Sequence, residues 1–131
     1  MKFTLGKHER LKSRTLIKKL YEEGQTLKVF PLRMMYLQTN HTSKFPTQVG
    51  VSVPKRNFKH AVDRNRIKRL MRESYRKNKY LVYNEVDEPY VYMIYYLAKA
   101  EWKYIAIEKK MILLLTNFIK EIKKKEYEKT V

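Results

Sequence analysis

Residues 61–79 read AVDRNRIKRLMRESYRKNK, a run in which cations crowd together with no Gly or Pro to break it. Arg64, Arg66, Arg69, Arg72 and Arg76 carry planar guanidinium groups, which donate two parallel hydrogen bonds and never lose their charge; these properties suit phosphate oxygens. From Lys55 to Lys79 there are eleven Lys or Arg, opposed only by Asp63 and Glu73. At about 100° of rotation per residue, Ile67, Leu70, Met71 and Ser74 gather on one side of a helix. Asn65, Arg69, Arg72 and Arg76 line the other side, with Arg66 and Lys68 at its margins. A merely solvated helix face mixes signs, and this one does not. Glu73 reaches Arg69 and Lys77 at four-residue spacing, but exposed pairs of that kind contribute only about 0.2–0.5 kcal/mol each. The stripe from Asn65 to Arg76 extends roughly 16 Å at the helical rise of about 1.5 Å per residue, enough to follow several phosphates. Asn65, a neutral amide among cations, reads either as a specific contact or as a cap.

No protein-only catalytic chemistry accompanies the cations. His8, His41 and His60 are scattered, there is no HExxH pairing or paired-carboxylate motif, and the three glycines do not form a phosphate loop. Asp63 and Glu73 point to different sides of the basic helix, so they cannot jointly hold a metal from it. The absence of cysteine removes disulfides, thiolate nucleophiles and cysteine zinc sites. With 30 Lys and Arg against 13 Asp and Glu in 131 residues, the net charge is +17, which calls for a polyanionic partner. Nucleic acid fits best. A membrane is not expected as partner, because YVYMIYYLA and MILLLTNFI fall short of the roughly 18 apolar residues of a span. The charged start MKFTLGKHERLK does not read as an export signal, so a cytoplasmic protein is expected.

The elements that must position the stripe follow from periodicity. One domain is expected, with no internal repeat and no linker. LKSRTLIKKLYEE (11–23) spaces Leu16, Ile17, Leu20 and Tyr21 as a first helix stopped by Gly24. LRMMYLQT (32–39) and TQVGVSV (47–53) alternate as half-buried strands in a hairpin-like pair across NHTSKFP, and Leu27 to Phe30 adds a preceding strand. Val49, Val51 and Val53 share one face. YVYMIYYLA (90–98) reads as a buried strand and EWKYIAIEKKMILLLTNFIKEI (101–122) as a last helix with a broad apolar face, after which KKKEYEKTV should fray. The fold class is α+β, one sheet packed with helices.

SVPKRNFKHAVDRNRIKRLMRESYR resembles the signature of the bacterial ribonuclease P protein subunit, an RNR core followed by Ile, Lys, Arg and an Arg-Glu pair. Here these are Arg64, Asn65, Arg66, Ile67, Lys68, Arg69, Arg72 and Glu73. The likeness extends over roughly residues 5–122, because the helix ending at Gly24, the VGVSVPK strand and the later elements occur in the family's order. It implies the arrangement α-β-β-β-α-β-α with a left-handed strand-helix-strand crossover. It also implies a protein that does not itself cut but assists a catalytic RNA in removing the 5′ leader of precursor tRNA. On that resemblance Lys55, Arg56, Arg64, Asn65, Arg66, Lys68, Arg69, Arg72 and Arg76 contact the catalytic RNA. The leader is expected in a cleft walled by Ile17, Tyr21, Tyr36 and Val51, with Ile17 standing where the family usually has Phe. Ordinary core packing remains the other reading of the two tyrosines. Mg²⁺ is implied through the RNA subunit, and no protein partner is required. A ribosomal-type RNA-binding protein of the same α+β build is the alternative that composition leaves open.

Overall fold

The computed structural model describes residues 5–41 and 43–130; Lys2, Thr42 of the expected loop and Val131 of the tail lie outside the described residues. Helix α1 (Arg14–Glu23) starts where the Ser13 hydroxyl accepts the Leu16 N–H. It ends at Gly24, whose N–H donates to the Leu20 carbonyl at 2.8 Å. A Cβ at position 24 would stand 2.3 Å from that carbonyl oxygen, so the stop requires glycine. Strands β1 (Gln25–Val29), β2 (Leu32–Gln38) and β3 (Thr47–Ser52) precede helix α2 (Ala61–Asn78), the short helix α3 (Tyr80–Tyr83), strand β4 (Tyr90–Tyr96) and helix α4 (Tyr104–Thr130).

The four strands form one sheet in the order β1-β2-β4-β3. β2 is antiparallel to both β1 and β4, whereas β3 runs parallel to β4. The hairpin expected between β2 and β3 is therefore absent, because β4 lies between them. The physical reason is β4's own sequence: YVYMIYY is apolar on both faces and almost entirely buried, so it must be flanked on both edges and covered on both sides.

Alternation then divides the side chains. Leu32, Met34, Tyr36, Tyr92, Ile94, Tyr96 and Val49 face α2 and α4, whose Ile67, Met71, Tyr75, Ile107, Met111 and Phe118 complete the main core. Met35, Leu37, Val91 and Met93 face the other way, toward Leu11 and the Leu16, Ile17 and Leu20 side of α1. Phe118 meets Tyr36, Tyr90 and Tyr92 edge-on at centroid distances of 5.0, 5.4 and 5.4 Å. The buried hydroxyls of Tyr75 and Tyr92 bond each other and Thr47, and burial drives both phenols well above their ordinary pKa, so they stay neutral. Against the expectation of a frayed tail, α4 continues to Thr130. Lys125 donates to the Tyr36 hydroxyl at 3.2 Å and Lys123 pairs with Glu85, which ties the extra turns to the body.

Before α1, Lys7–Glu9 forms a 3-10 turn that faces Glu9 inward. Its carboxylate accepts from Lys79 and from the Tyr83 hydroxyl, both at 2.5 Å, and from the Gly6 N–H at 3.1 Å. Burial alone would raise the Glu9 pKa; the three donors outweigh it and hold the group below the ordinary carboxylate value.

Two stability measurements test this packing. Phe118→Ala should cost about 3–5 kcal/mol in urea unfolding, because no neighbour can fill the space between three tyrosines; an unchanged midpoint would contradict the ring cluster. Glu9 has a depressed folded pKa, so its contribution is present above its unfolded value of about 4.3 and is lost as pH falls from there through the folded value. Glu9→Gln should therefore flatten the acid limb of stability below about pH 5, and an identical acid limb in the variant would contradict the assignment.

Candidate nucleic-acid interface

α2 begins after His60, whose backbone is extended and whose side chain makes no capping bond. Asn65 thus sits inside the helix and exposed, which removes the cap reading and leaves its amide on the cationic side. Ile67, Met71, Ser74, Tyr75 and Asn78 are buried, fixing the rotation of the helix so that Asn65, Arg69 and Arg72 face solvent. Leu5 and Arg10 from the N-terminal segment join Asn65, Arg69, Arg72, Glu73 and Arg76 around a groove of about 520 Å³.

The residues expected to meet phosphate differ in how free they are. Arg69, Arg72, Lys68, Lys55 and Arg56 make no ion pair among the described residues, and Lys55 and Arg56 sit exposed in the turn after β3. Arg64 is half-buried, and its guanidinium donates to the carbonyls of Phe58 and Lys59 at 2.8 and 2.9 Å, bracing the loop that leads into α2. Arg66 is drawn sideways to Asp63 (2.9 Å) and to Glu101 (2.7 Å), ahead of α4. Arg76 holds Glu73 at 2.5 Å, so the single carboxylate of the groove is already engaged. Arg72 lies below its ordinary pKa, through partial burial first and through the neighbouring Arg10 charge second. Arg10 and Arg72 thus line one groove, an arrangement that favours an anion there.

The four residues expected to wall a cleft are not brought together. Ile17 and Tyr21 project from α1, where Ile17 packs beneath the helix and Tyr21 is 57% exposed. Tyr36 lies on the opposite face of the sheet, 4% exposed under α4, with its hydroxyl donating to Gln25 at 3.1 Å. Val51 also packs with the main core on the α2 and α4 side. Tyr36 cannot stand opposite Tyr21, because strand alternation places it with Leu32 and Met34 rather than with Met35.

Tyr95 and Arg33, neither of them among the residues expected to wall the cleft, stand beside Tyr21. Arg33 and Tyr95 are direct partners across β2 and β4. The Arg33 guanidinium lies 4.6 Å from the Tyr95 ring centroid, and the Tyr95 hydroxyl donates to that of Tyr21 at 2.6 Å. The Tyr95 phenol is pushed above its usual pKa by burial first and by this bond second, so it remains a donor at neutral pH. The Nε of Arg33 is buried with no hydrogen-bond partner. With Met35, these residues form an aromatic and cationic strip along α1. The signal that could have found it was parity: Arg33, Met35 and Leu37 alternate with the buried Leu32, Met34 and Tyr36. Among the described residues no three His, Asp or Glu converge to hold a metal, and no helix is long and apolar enough to cross a membrane.

Comparison with known proteins places this geometry. A family model described as Ribonuclease P matches residues 5–119. The chain is 43% identical over 91 residues to the ribonuclease P protein component of Porphyromonas gingivalis, covering 69% of this chain and 66% of that one. It is 42% identical over 88 residues to that of Chlorobium phaeobacteroides, covering 65% and 60%. The matches thus span just under two thirds of the length of these relatives. In structure, the chain resembles the RNase P protein of Thermotoga maritima with a TM-score of 0.67 at 20% identity, covering 83% of this chain and 96% of that one. The RNase P protein of Staphylococcus aureus follows with 0.63 at 21%, covering 82% and 92%; at such identities the likeness is one of fold.

The cationic face yields a contrast between two kinds of arginine. Arg69→Ala and Arg72→Ala should each make the salt dependence of binding to a folded RNA shallower, by roughly 0.7–0.9 in log–log slope for each phosphate left unneutralised, while leaving stability unchanged. Arg64→Ala should instead lower thermal stability, because two loop carbonyls are deprived of their donor. Equal slopes in the wild-type, Arg69 and Arg72 proteins would contradict the phosphate role.

Proposed function

The chain belongs to the Ribonuclease P protein family, and we propose that it is the protein subunit of a ribonuclease P ribonucleoprotein, binding the catalytic RNA and the 5′ leader of precursor tRNA and assisting endonucleolytic removal of the leader. The observation that carries this reading is the uncompensated face of α2, where Arg69, Arg72 and Lys68 have no ion pair among the described residues while the helix's other side is buried. Arg69, Arg72, Asn65 and Lys68 contact the RNA subunit directly, with Lys55 and Arg56 extending the contact along the preceding turn. Arg64, Arg66 and Arg76 stand at its edge, and part of their donor capacity is spent within the protein.

The leader takes the strip beside α1. Tyr21 and Tyr95 offer aromatic faces on which unpaired bases stack without demanding one sequence. Arg33, its guanidinium over the Tyr95 ring, supplies the positive charge. Tyr36 and Val51 belong to the core on the other face and support the sheet from behind. Cleavage is assigned to the RNA subunit with its Mg²⁺.

Reconstitution tests the reading. Added to a bacterial ribonuclease P RNA with a leader-bearing precursor tRNA at low magnesium, the protein should accelerate leader removal. No acceleration, together with tight binding to ribosomal RNA, would replace this function with that of a ribosomal-type RNA-binding protein. In the same assay Tyr21→Ala should weaken leader-bearing over leaderless tRNA by about 1–3 kcal/mol if one base stacks there. Tyr36→Ala should lower stability without changing that preference. A preference that follows Tyr36 and ignores Tyr21 would move the leader to the other face of the sheet.

A further inference from the structure

Arg10 lies far from α2 in sequence, yet it lines the same groove as Asn65, Arg69 and Arg72. Something must hold it there, because a guanidinium placed beside Arg72 is repelled by it, and no carboxylate bridges the two among the described residues. The backbone supplies one tie: the Leu11 N–H donates to the Val49 carbonyl at 2.8 Å, and Arg10 forms a parallel bridge with Val49 along the outer edge of β3. The side chain of the preceding residue supplies the other. Glu9 is 2% exposed and reaches Lys79, also 2% exposed, at the junction of α2 and α3. Tyr83 and the Gly6 N–H complete its hydrogen bonds. With Glu9 turned inward, Arg10 is turned outward into the groove.

A carboxylate sealed from water costs several kcal/mol unless its partners are well placed, so such a pair is a poor route to stability alone. Its evident result here is geometric, because it couples the N-terminal segment to the C-terminal end of the helix that carries the cations.

Resting on the function proposed above, we propose that Glu9 is a positioning residue: its buried bonds to Lys79 and Tyr83 hold Arg10 beside Arg72 as a further phosphate-binding cation for the RNA subunit. Arg10 itself touches a phosphate of folded RNA, and Glu9 acts only through it.

The test combines a measurement on the free protein with one on the complex. In the free protein, Glu9→Gln should speed hydrogen exchange at the Leu11 amide, reporting a loosened N-terminal segment. In binding to ribonuclease P RNA, Arg10→Ala should lower affinity and make the log–log salt slope shallower by roughly 0.7–0.9, so that raising salt from 50 to 200 mM costs the variant about three-fold less affinity than it costs the wild type. Glu9→Gln should reproduce part of that loss, and the double variant should be no weaker than Arg10→Ala alone. Arg10→Lys should restore the slope, since a point charge still meets a phosphate. If Glu9→Gln unfolds the chain, Tyr83→Phe removes one of the bonds to Glu9 while keeping the ion pair, and should give a smaller change of the same sign. A wild-type protein that does not bind ribonuclease P RNA would overturn both the function and this inference. A wild-type protein that binds, with a slope indifferent to Arg10→Ala, would overturn the inference alone. A Glu9→Gln penalty that persists in the Arg10→Ala background would also overturn it, reducing Glu9 to a purely structural residue.

Discussion

The rotation of α2 about its own axis is the constraint on which the rest depends. Ile67, Met71 and Tyr75 have no exposed surface, and each contributes on the order of 1.5–3 kcal/mol by staying out of water. Turning the helix to hide its arginines would expose that apolar seam and would bring charges into the core. The same burial therefore stabilises the fold and presents Asn65, Arg69 and Arg72 outward. It also explains how a chain of net charge +17 stays folded while Arg69, Arg72 and Lys68 make no ion pair among the described residues. Tyr90 and Tyr92 of β4, packed edge-on against Phe118, belong to the core that opposes the self-repulsion.

The sheet separates two jobs by parity. Even-numbered positions of β2 join the core beneath α2 and α4, and odd-numbered positions look toward α1, where Arg33, Met35 and Tyr95 adjoin the exposed Tyr21. In the proposed assembly the structured RNA would thus meet the α2 surface and the single-stranded leader the α1 surface. Cations tracking phosphates serve the first task. Aromatic faces with one neighbouring guanidinium serve the second, because tolerance of sequence comes from stacking and not from base-edge readout.

How much of this is readable from the residues alone depends on the range of the interaction. α2 is legible almost to the residue, since its period, its seam and its single-sign face are all local. β4 is legible as buried, but its insertion between β2 and β3 is not: alternation in each strand says nothing of which strands pair, and the loop between them looks like a turn. The aromatic character of Tyr36 points to a residue that serves the core, whereas the neighbouring Arg33 and Met35 carry the relevant parity. Which face a helix covers is a tertiary fact that a period-2 pattern leaves undecided. Glu9 and Lys79 are separated by 70 positions, so neither the buried pair nor the placement of Arg10 leaves any local trace.

The most direct test of the central claim is an arginine footprint of the protein with and without ribonuclease P RNA, using a guanidinium-specific reagent read by mass spectrometry. Strong protection is expected at Arg69 and Arg72 and none at Arg14, which is exposed at the start of α1 on the other side of the sheet. Undiminished reaction at Arg69 and Arg72 in a saturated complex, with protection at Arg14 instead, would place the RNA on the wrong face and contradict it.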